Sequence, residues 1–308
     1  MKKARVLFAL LLTFLSVPLF AQEMPPVMSD TMVDTLHVKQ FGTSGTPIIL
    51  IPGLAAGSWT WSSTVIRFSP THVIYVVTLP GFDGMAAPAE KTGYIDKADD
   101  ALAKLILDKH LDHPIIVGHS LGGTLALLFA TAHSNLISGV ITAEGLPVAP
   151  GTEGLPRERR GDLGVSTRQK MINETPETFA QQQMDYAMSS AVMDPDMAHK
   201  VGTMLARSDP DATAQYLGEE LTLDFRPALP SITVPVLLIV PYNPADGQHM
   251  DPPHTQADKV AYYRSLMAGT PKLEVISITP ARHFVMFDQR DAFLAALGSF
   301  FDHVPQAN

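Results

Sequence analysis

Cysteine is absent from all 308 residues. Disulfides, thiolate metal sites and a cysteine nucleophile are therefore excluded. Charge is sparse, with only 17% of residues charged. Positive charge is the scarcer sign: 22 lysines and arginines face 31 aspartates and glutamates, for a net charge of −9. That balance argues against general attraction to nucleic acid or to anionic membrane surfaces. No glycine-rich phosphate loop of the G-x-G-x-x-G or Walker type occurs, so nothing points to an organic cofactor. Repeats and low-complexity tracts are also lacking. What remains is a globular composition, 46% hydrophobic, in a chain long enough to bury a sizeable core.

One long apolar run is present, at the start. Lys2, Lys3 and Arg5 precede Val6 to Phe20, which is apolar apart from Thr13 and Ser16 and is broken by Pro18. Ala21 offers a small residue for cleavage. Residues 1–21 read as a secretory signal peptide, with an uncleaved anchor as the alternative. The run is short for a full membrane span. Without a following cysteine there is no bacterial lipid attachment site. Losing Lys2, Lys3 and Arg5 takes the net charge from −9 to −12. The expectation is an exported protein, periplasmic or secreted, with no stable membrane span after cleavage.

Beyond it, short apolar runs alternate with amphipathic stretches. Pro47 to Ile51, His72 to Leu79, Pro114 to Val117, Ile137 to Ala143, Val234 to Val240 and Leu273 to Ile278 read as strands buried on both faces. Met32 to Gln40 alternates weakly, as an edge strand would. Ile95, Ala98, Leu102, Leu105 and Ile106 share one helical face, as do Phe293, Ala296, Leu297, Phe300 and Phe301. The alternation predicts an α/β fold with a mostly parallel sheet covered on both sides. It breaks between about Leu146 and Pro230. There a Gly/Pro-rich stretch is followed by Thr175-Pro176-Glu177, Asp194-Pro195-Asp196 and Asp209-Pro210-Asp211. Each offers a capping oxygen, a proline for the first helical position and an acid for the helix dipole, so three short helices are expected. The division is then a core of residues 22–145 and 231–308 with a helical insertion over 146–230.

Gly118-His119-Ser120-Leu121-Gly122-Gly123 is the most informative stretch. It follows an apolar strand and precedes a good helix. Small residues on both sides of Ser120 suit a sharp strand-to-helix turn that lifts the hydroxyl out of the sheet edge. At the helix start, unpaired N–H groups favour developing negative charge. On this motif and its context, from about Thr35 to the C-terminal helix, the chain resembles the α/β-hydrolase family. The likeness is weakest across Leu146 to Pro230, where family members carry lids of variable form.

The resemblance implies a serine hydrolase with Ser120 as nucleophile. It implies an oxyanion hole made by the backbone N–H groups of Leu121 and Leu54. The second lies in the loop Ile51-Pro52-Gly53-Leu54, where relatives commonly have His-Gly in place of Pro52-Gly53. His283, after the last strand, is the implied base, and His119 reads as structural. The triad order Ser, acid, His puts the acid after the penultimate strand, and Asp246 is the first choice. Glu144, Asn243 and Asp251 are the alternatives. His249, Asp251 and His254 match no strong metal motif, so neither metal nor cofactor is expected.

The insertion is rich in methionine, including Met184 and Met188. Methionine adapts to irregular apolar partners. Most of these residues are expected to pack the helices; one or two could line an acyl pocket. The expected activity is cleavage of a small-molecule carboxylic ester through an acyl-enzyme. Acyl transfer or perhydrolysis with the same triad, or a non-catalytic binding protein on the same scaffold, are the other readings.

Overall fold

The computed structural model describes residues 23–172, 174–249 and 254–304. The signal-peptide reading of residues 1–21 and the candidate Asp251 lie outside the described residues. Eight strands form one sheet: β1 Ser29–Val33, β2 Leu36–Phe41, β3 Pro47–Ile51, β4 Val73–Thr78, β5 Ile115–His119, β6 Gly139–Ala143, β7 Val236–Pro241 and β8 Leu273–Ile278. Their order is β1-β2-β4-β3-β5-β6-β7-β8. β1 and β2 pair antiparallel, β2 pairs antiparallel with β4, and every other pairing is parallel. The single edge strand expected over Met32 to Gln40 is instead the hairpin β1–β2. Val33 faces Leu36 across Asp34-Thr35, with Asp34 at φ 52°. The weak alternation there is the trace of two strands interrupted by a turn.

The core helices are α1 Ser62–Phe68, α2 Tyr94–Asp108 and α3 Leu121–His133. The insertion between β6 and β7 supplies α4 Arg157–Met171, α5 Pro176–Tyr186, α6 Pro195–Leu205 and α7 Pro210–Thr222. After β7 come α8 Pro244–Gln248 and α9 Gln256–Leu266, and after β8 come α10 Val285–Asp288 and α11 Arg290–His303. Strand side chains alternate between two apolar layers, as the two-residue period requires. Ile49 and Ile51 join Leu102 and Leu105 of α2 and Leu125 of α3 in one layer. Ile48 and Leu50 join Phe68 of α1 and Phe293 and Phe300 of α11 in the other. Burial on both faces is why the central strands are unbroken apolar runs. Among the described residues no helix is long and apolar enough to cross a membrane.

Three insertion helices start where expected. The side chains of Thr175, Asp194 and Asp209 accept from the N–H groups of Thr178, Met197 and Ala212, each with proline next. A fourth helix that the sequence reading did not expect, α4, begins within the Gly/Pro-rich stretch. It shows no apolar stripe because it meets α7 through backbone. A Cβ on Gly164 would sit 2.3 Å from the carbonyl oxygen of Gly218, whereas one on Gly161 would meet nothing within 4 Å.

Those two glycines make a matched pair. Gly164→Ala should destabilise the protein by about 1–3 kcal/mol through overpacking. Gly161→Ala should leave stability unchanged or raise it by up to about 1 kcal/mol, the helix-propensity gain. Urea unfolding midpoints check both.

Candidate active site

A single residue, Ser120, joins β5 to α3. Its backbone takes φ 53° and ψ −124°, a conformation that costs a residue with a Cβ on the order of 1–3 kcal/mol. Main-chain bonds hold it there: Ser120 N–H donates to Ala143 O at 2.8 Å, and Ser120 O accepts from Gly123 N–H at 2.8 Å. The bend closes because its neighbours lack side chains. A Cβ on Gly122 would stand 2.3 Å from Ile51 O, and one on Gly53 would stand 3.0 Å from Ser120 Cβ. The second contact sets the Gly53-Leu54 loop against Ser120, while Leu121 opens the helix on its other side. Ala55, at φ 56°, has its carbonyl held at 2.7 Å by the Ser208 hydroxyl from the link between α6 and α7.

His283 lies in the loop between β8 and α10. Its Nδ1 is 3.0 Å from Glu144 Oε2. A carboxylate can only accept, so the proton sits on Nδ1 and Nε2 keeps a lone pair for base chemistry. Ser120 and His283 line one cavity of about 250 Å³. The loop is fixed from several sides. Phe284 N–H donates to Ala191 O at 2.8 Å, and His283 N–H reaches Ser190 O at 3.4 Å. Buried His119 donates Nε2–H to His283 O at 3.0 Å. Burial, helped by the nearby His283 charge, lowers His119 to about 3, so it remains a neutral donor, in keeping with a structural role.

Glu144 is the residue just past β6, with φ 62°. Its Oε1 lies 2.9 Å from Lys259 Nζ on α9, and Lys259 also donates to Pro241 O at 2.8 Å. Burial by itself would raise this carboxyl; the Lys259 charge and the His283 hydrogen bond outweigh it and hold the group down to about 2.

Asp246, the first choice of acid from the sequence, stands elsewhere. Both of its oxygens are taken by Arg282, at 2.8 Å from Nε and 2.8 Å from Nη2. That hydrogen-bonded guanidinium lowers the carboxyl. Arg282 also donates to Met188 O and Val192 O, at 3.1 and 3.2 Å. Asp246 thus clamps the residue beside His283 without reaching the ring. The physical reason is placement: the chain after β7 turns at once into α8, with Asn243 accepting from Ala245 N–H at 3.3 Å. β6 adjoins β5, so the carboxylate at its end shares a sheet edge with Ser120.

The methionines do not form the cavity wall beside Ser120. That wall comes from Leu146, Val148, Leu217, Leu221 and Leu223. Met184 packs where a Cβ on Gly202 would meet its sulfur at 2.9 Å, and Met188 is exposed. Sequence reasoning missed Lys259, and it missed Glu220 of α7, which faces the same cavity with Oε1 3.3 Å from Thr124 Oγ1. Burial pushes Glu220 up to about 7, against the Thr124 hydrogen bond. Neither residue sits in a recognisable motif; only folding brings them in. Glu144 and His283 also line a larger cavity of about 860 Å³, together with Tyr186, Tyr242, Asn243 and Tyr262.

A profile of the Alpha/beta hydrolase family matches residues 48–296. The pimeloyl-[acyl-carrier protein] methyl ester esterase of Vibrio atlanticus (strain LGP32) is 26% identical over 273 residues, covering 87% of this chain and 99% of that one. The N-formylmaleamate deformylase of Pseudomonas putida is 22% identical over 268 residues, covering 87% and 92%. The structure of MenH from S. aureus superposes with a TM-score of 0.71 at 16% identity, covering 86% and 98%, a likeness of fold.

Glu220 gives a pH test. Its folded-state value, about 7, lies above the ordinary 4.5. The folded protein therefore holds this proton where the unfolded chain has lost it. The resulting stability is fully present below about pH 4.5 and is lost as pH rises through about 7. Between pH 5 and pH 8 the wild type should lose on the order of 2–3 kcal/mol more than Glu220→Gln. Urea melts of both proteins at the two pH values measure the difference.

Proposed function

This chain belongs to the alpha/beta hydrolase family, and on that footing we propose that it is a carboxylic ester hydrolase working through an acyl-enzyme on Ser120. The observation that carries the reading is one arrangement: a hydroxyl at a strained β5–α3 turn sharing a cavity with an imidazole whose other nitrogen is held by a buried carboxylate. The related esterase of Vibrio atlanticus supports the choice of ester. Ser120 Oγ attacks the carbonyl carbon while His283 Nε2 takes its proton. The oxygen turns negative against the N–H groups of Leu54 and Leu121, each donor contributing about 2.7–4 kcal/mol in such sites. Glu144 orients the imidazole and stabilises its cation. His283 then returns the proton to the leaving alcohol. Water, deprotonated by the same nitrogen, releases the acid and restores Ser120.

The cavity that Ser120 lines takes the acyl group. Export to the periplasm or medium is part of the proposal, supported by the basic and then apolar residues 1–21.

A fluorophosphonate probe should label the wild type and not Ser120→Ala; a folded wild type that stays unlabelled would sink the enzyme reading. Glu144→Gln should lower kcat for a short-chain p-nitrophenyl ester on the order of 10³-fold or more, as loss of a triad acid does. Asp246→Asn should cost on the order of tenfold, by loosening Arg282. Equal losses would return the acid role to Asp246. N-terminal sequencing of the protein recovered from the periplasmic fraction should begin near residue 22; retention of Lys2 and Lys3 there would contradict export with cleavage.

A further inference from the structure

The cavity beside Ser120 contains a carboxyl that the steps above never use. Glu220 of α7 lines it beside the apolar side chains of Leu146, Val148, Leu217, Leu221 and Leu223. Burying a carboxyl among leucines is costly, and such groups persist where they hold a partner or perform a task. Among the described residues the one hydrogen bond its side chain makes is to Thr124, at 3.3 Å. Thr124 Oγ1 also lies 3.0 Å from Leu146 O and has a single proton to give. If that proton goes to the nearer carbonyl, the Glu220 contact needs a proton from Glu220 itself. The carboxyl is thus without a committed donor, in a space open to the acyl side of Ser120.

The surroundings set the sign of what it can accept. Glu144, His283 and Tyr263 are the other titratable side chains lining this cavity, and among the described residues no lysine or arginine lines it. Lys259 is close by but already bonded to Glu144 and Pro241 O. A carboxylate-terminated acyl chain would meet two carboxyls and no cation lining the wall. An ammonium would meet a carboxyl that ionises on its arrival, in an apolar enclosure where the pairing is strong.

Resting on the esterase reading, we propose that Glu220 is a specificity-determining residue that selects esters whose acyl group carries an amine, bound as ammonium, and rejects those ending in a carboxylate. This separates the chain from what the name of the Pseudomonas relative indicates, since a maleamate carries a free carboxylate. Thr124 and Leu146 would hold Glu220 in place, and the leucines would contact the methylenes between the amine and the carbonyl.

The test is a set of methyl esters of matched length with three to six acyl carbons, ending in methyl, hydroxyl, ammonium or carboxylate, followed by proton release in a pH-stat. At the preferred length, kcat/KM for the ammonium ester should exceed that of its methyl isostere at least tenfold, with the carboxylate ester slowest. The ratio of ammonium to methyl ester should fall to within about threefold of unity in Glu220→Gln, and invert in Glu220→Leu. Lack of ammonium preference in the wild type, preference for the hydroxyl ester, or a ratio unchanged in both variants would overturn the proposal. The wild-type comparison decides even if a variant fails to fold. These failures leave the esterase reading standing; that reading falls if the probe does not label folded wild type.

Discussion

Glu144 carries a charge inside the protein, and the site around it is arranged to keep that charge there. A lone buried carboxylate would neutralise itself. Lys259 prevents this from one side, and the His283 N–H from the other. The result is a short chain of groups, cation to anion to imidazole, with Glu144 shared between Lys259 and His283. When His283 gains a proton, two cations share the same anion. Removing Lys259 would strip Glu144 of its charged partner and leave the His283 contact to offset burial.

The backbone pays a visible conformational cost around this centre. Ser120, Glu144 and Ala55 all have positive φ without being glycine. Such strain survives only where neighbouring structure over-determines it. Here the constraints come from the sheet through Ala143 O and Ile239 O, and from the insertion through Ser208. Glu219 adds another tie: its carboxylate accepts from the N–H groups of Tyr94 and Ile95 at 3.1 and 2.9 Å, satisfying the start of α2 where Gly93 offers no capping side chain. Adjacent glutamates on α7 therefore point to different tasks, one to the core helix and one to the cavity.

Much of the framework was legible because it is written in local terms. Apolar runs of strand length, prolines after capping residues and the glycines around Ser120 each act within a few positions. His283 could be placed because the loop after the final strand is a short stretch with few histidines. The acid could not. Whether Asp246 or Glu144 meets the ring depends on where two loops travel after leaving the sheet, and the turn into α8 and the pull of Arg282 are tertiary facts. α4 escaped notice for a related reason: it packs through Gly164 against Gly218 and needs no apolar face. Lys259 and Glu220 matter only in company that the fold assembles.

The stitching of the insertion to the loops beneath it bears on how such a protein can change. Asp209 N–H donates to Gly81 O at 2.7 Å, Ser208 bonds Ala55 O, and the segment that follows α5 receives the N–H groups of His283 and Phe284. The insertion is therefore no interchangeable module: a chimera given a foreign segment of the same size would lose the ties to Ala55 and to the His283 loop together.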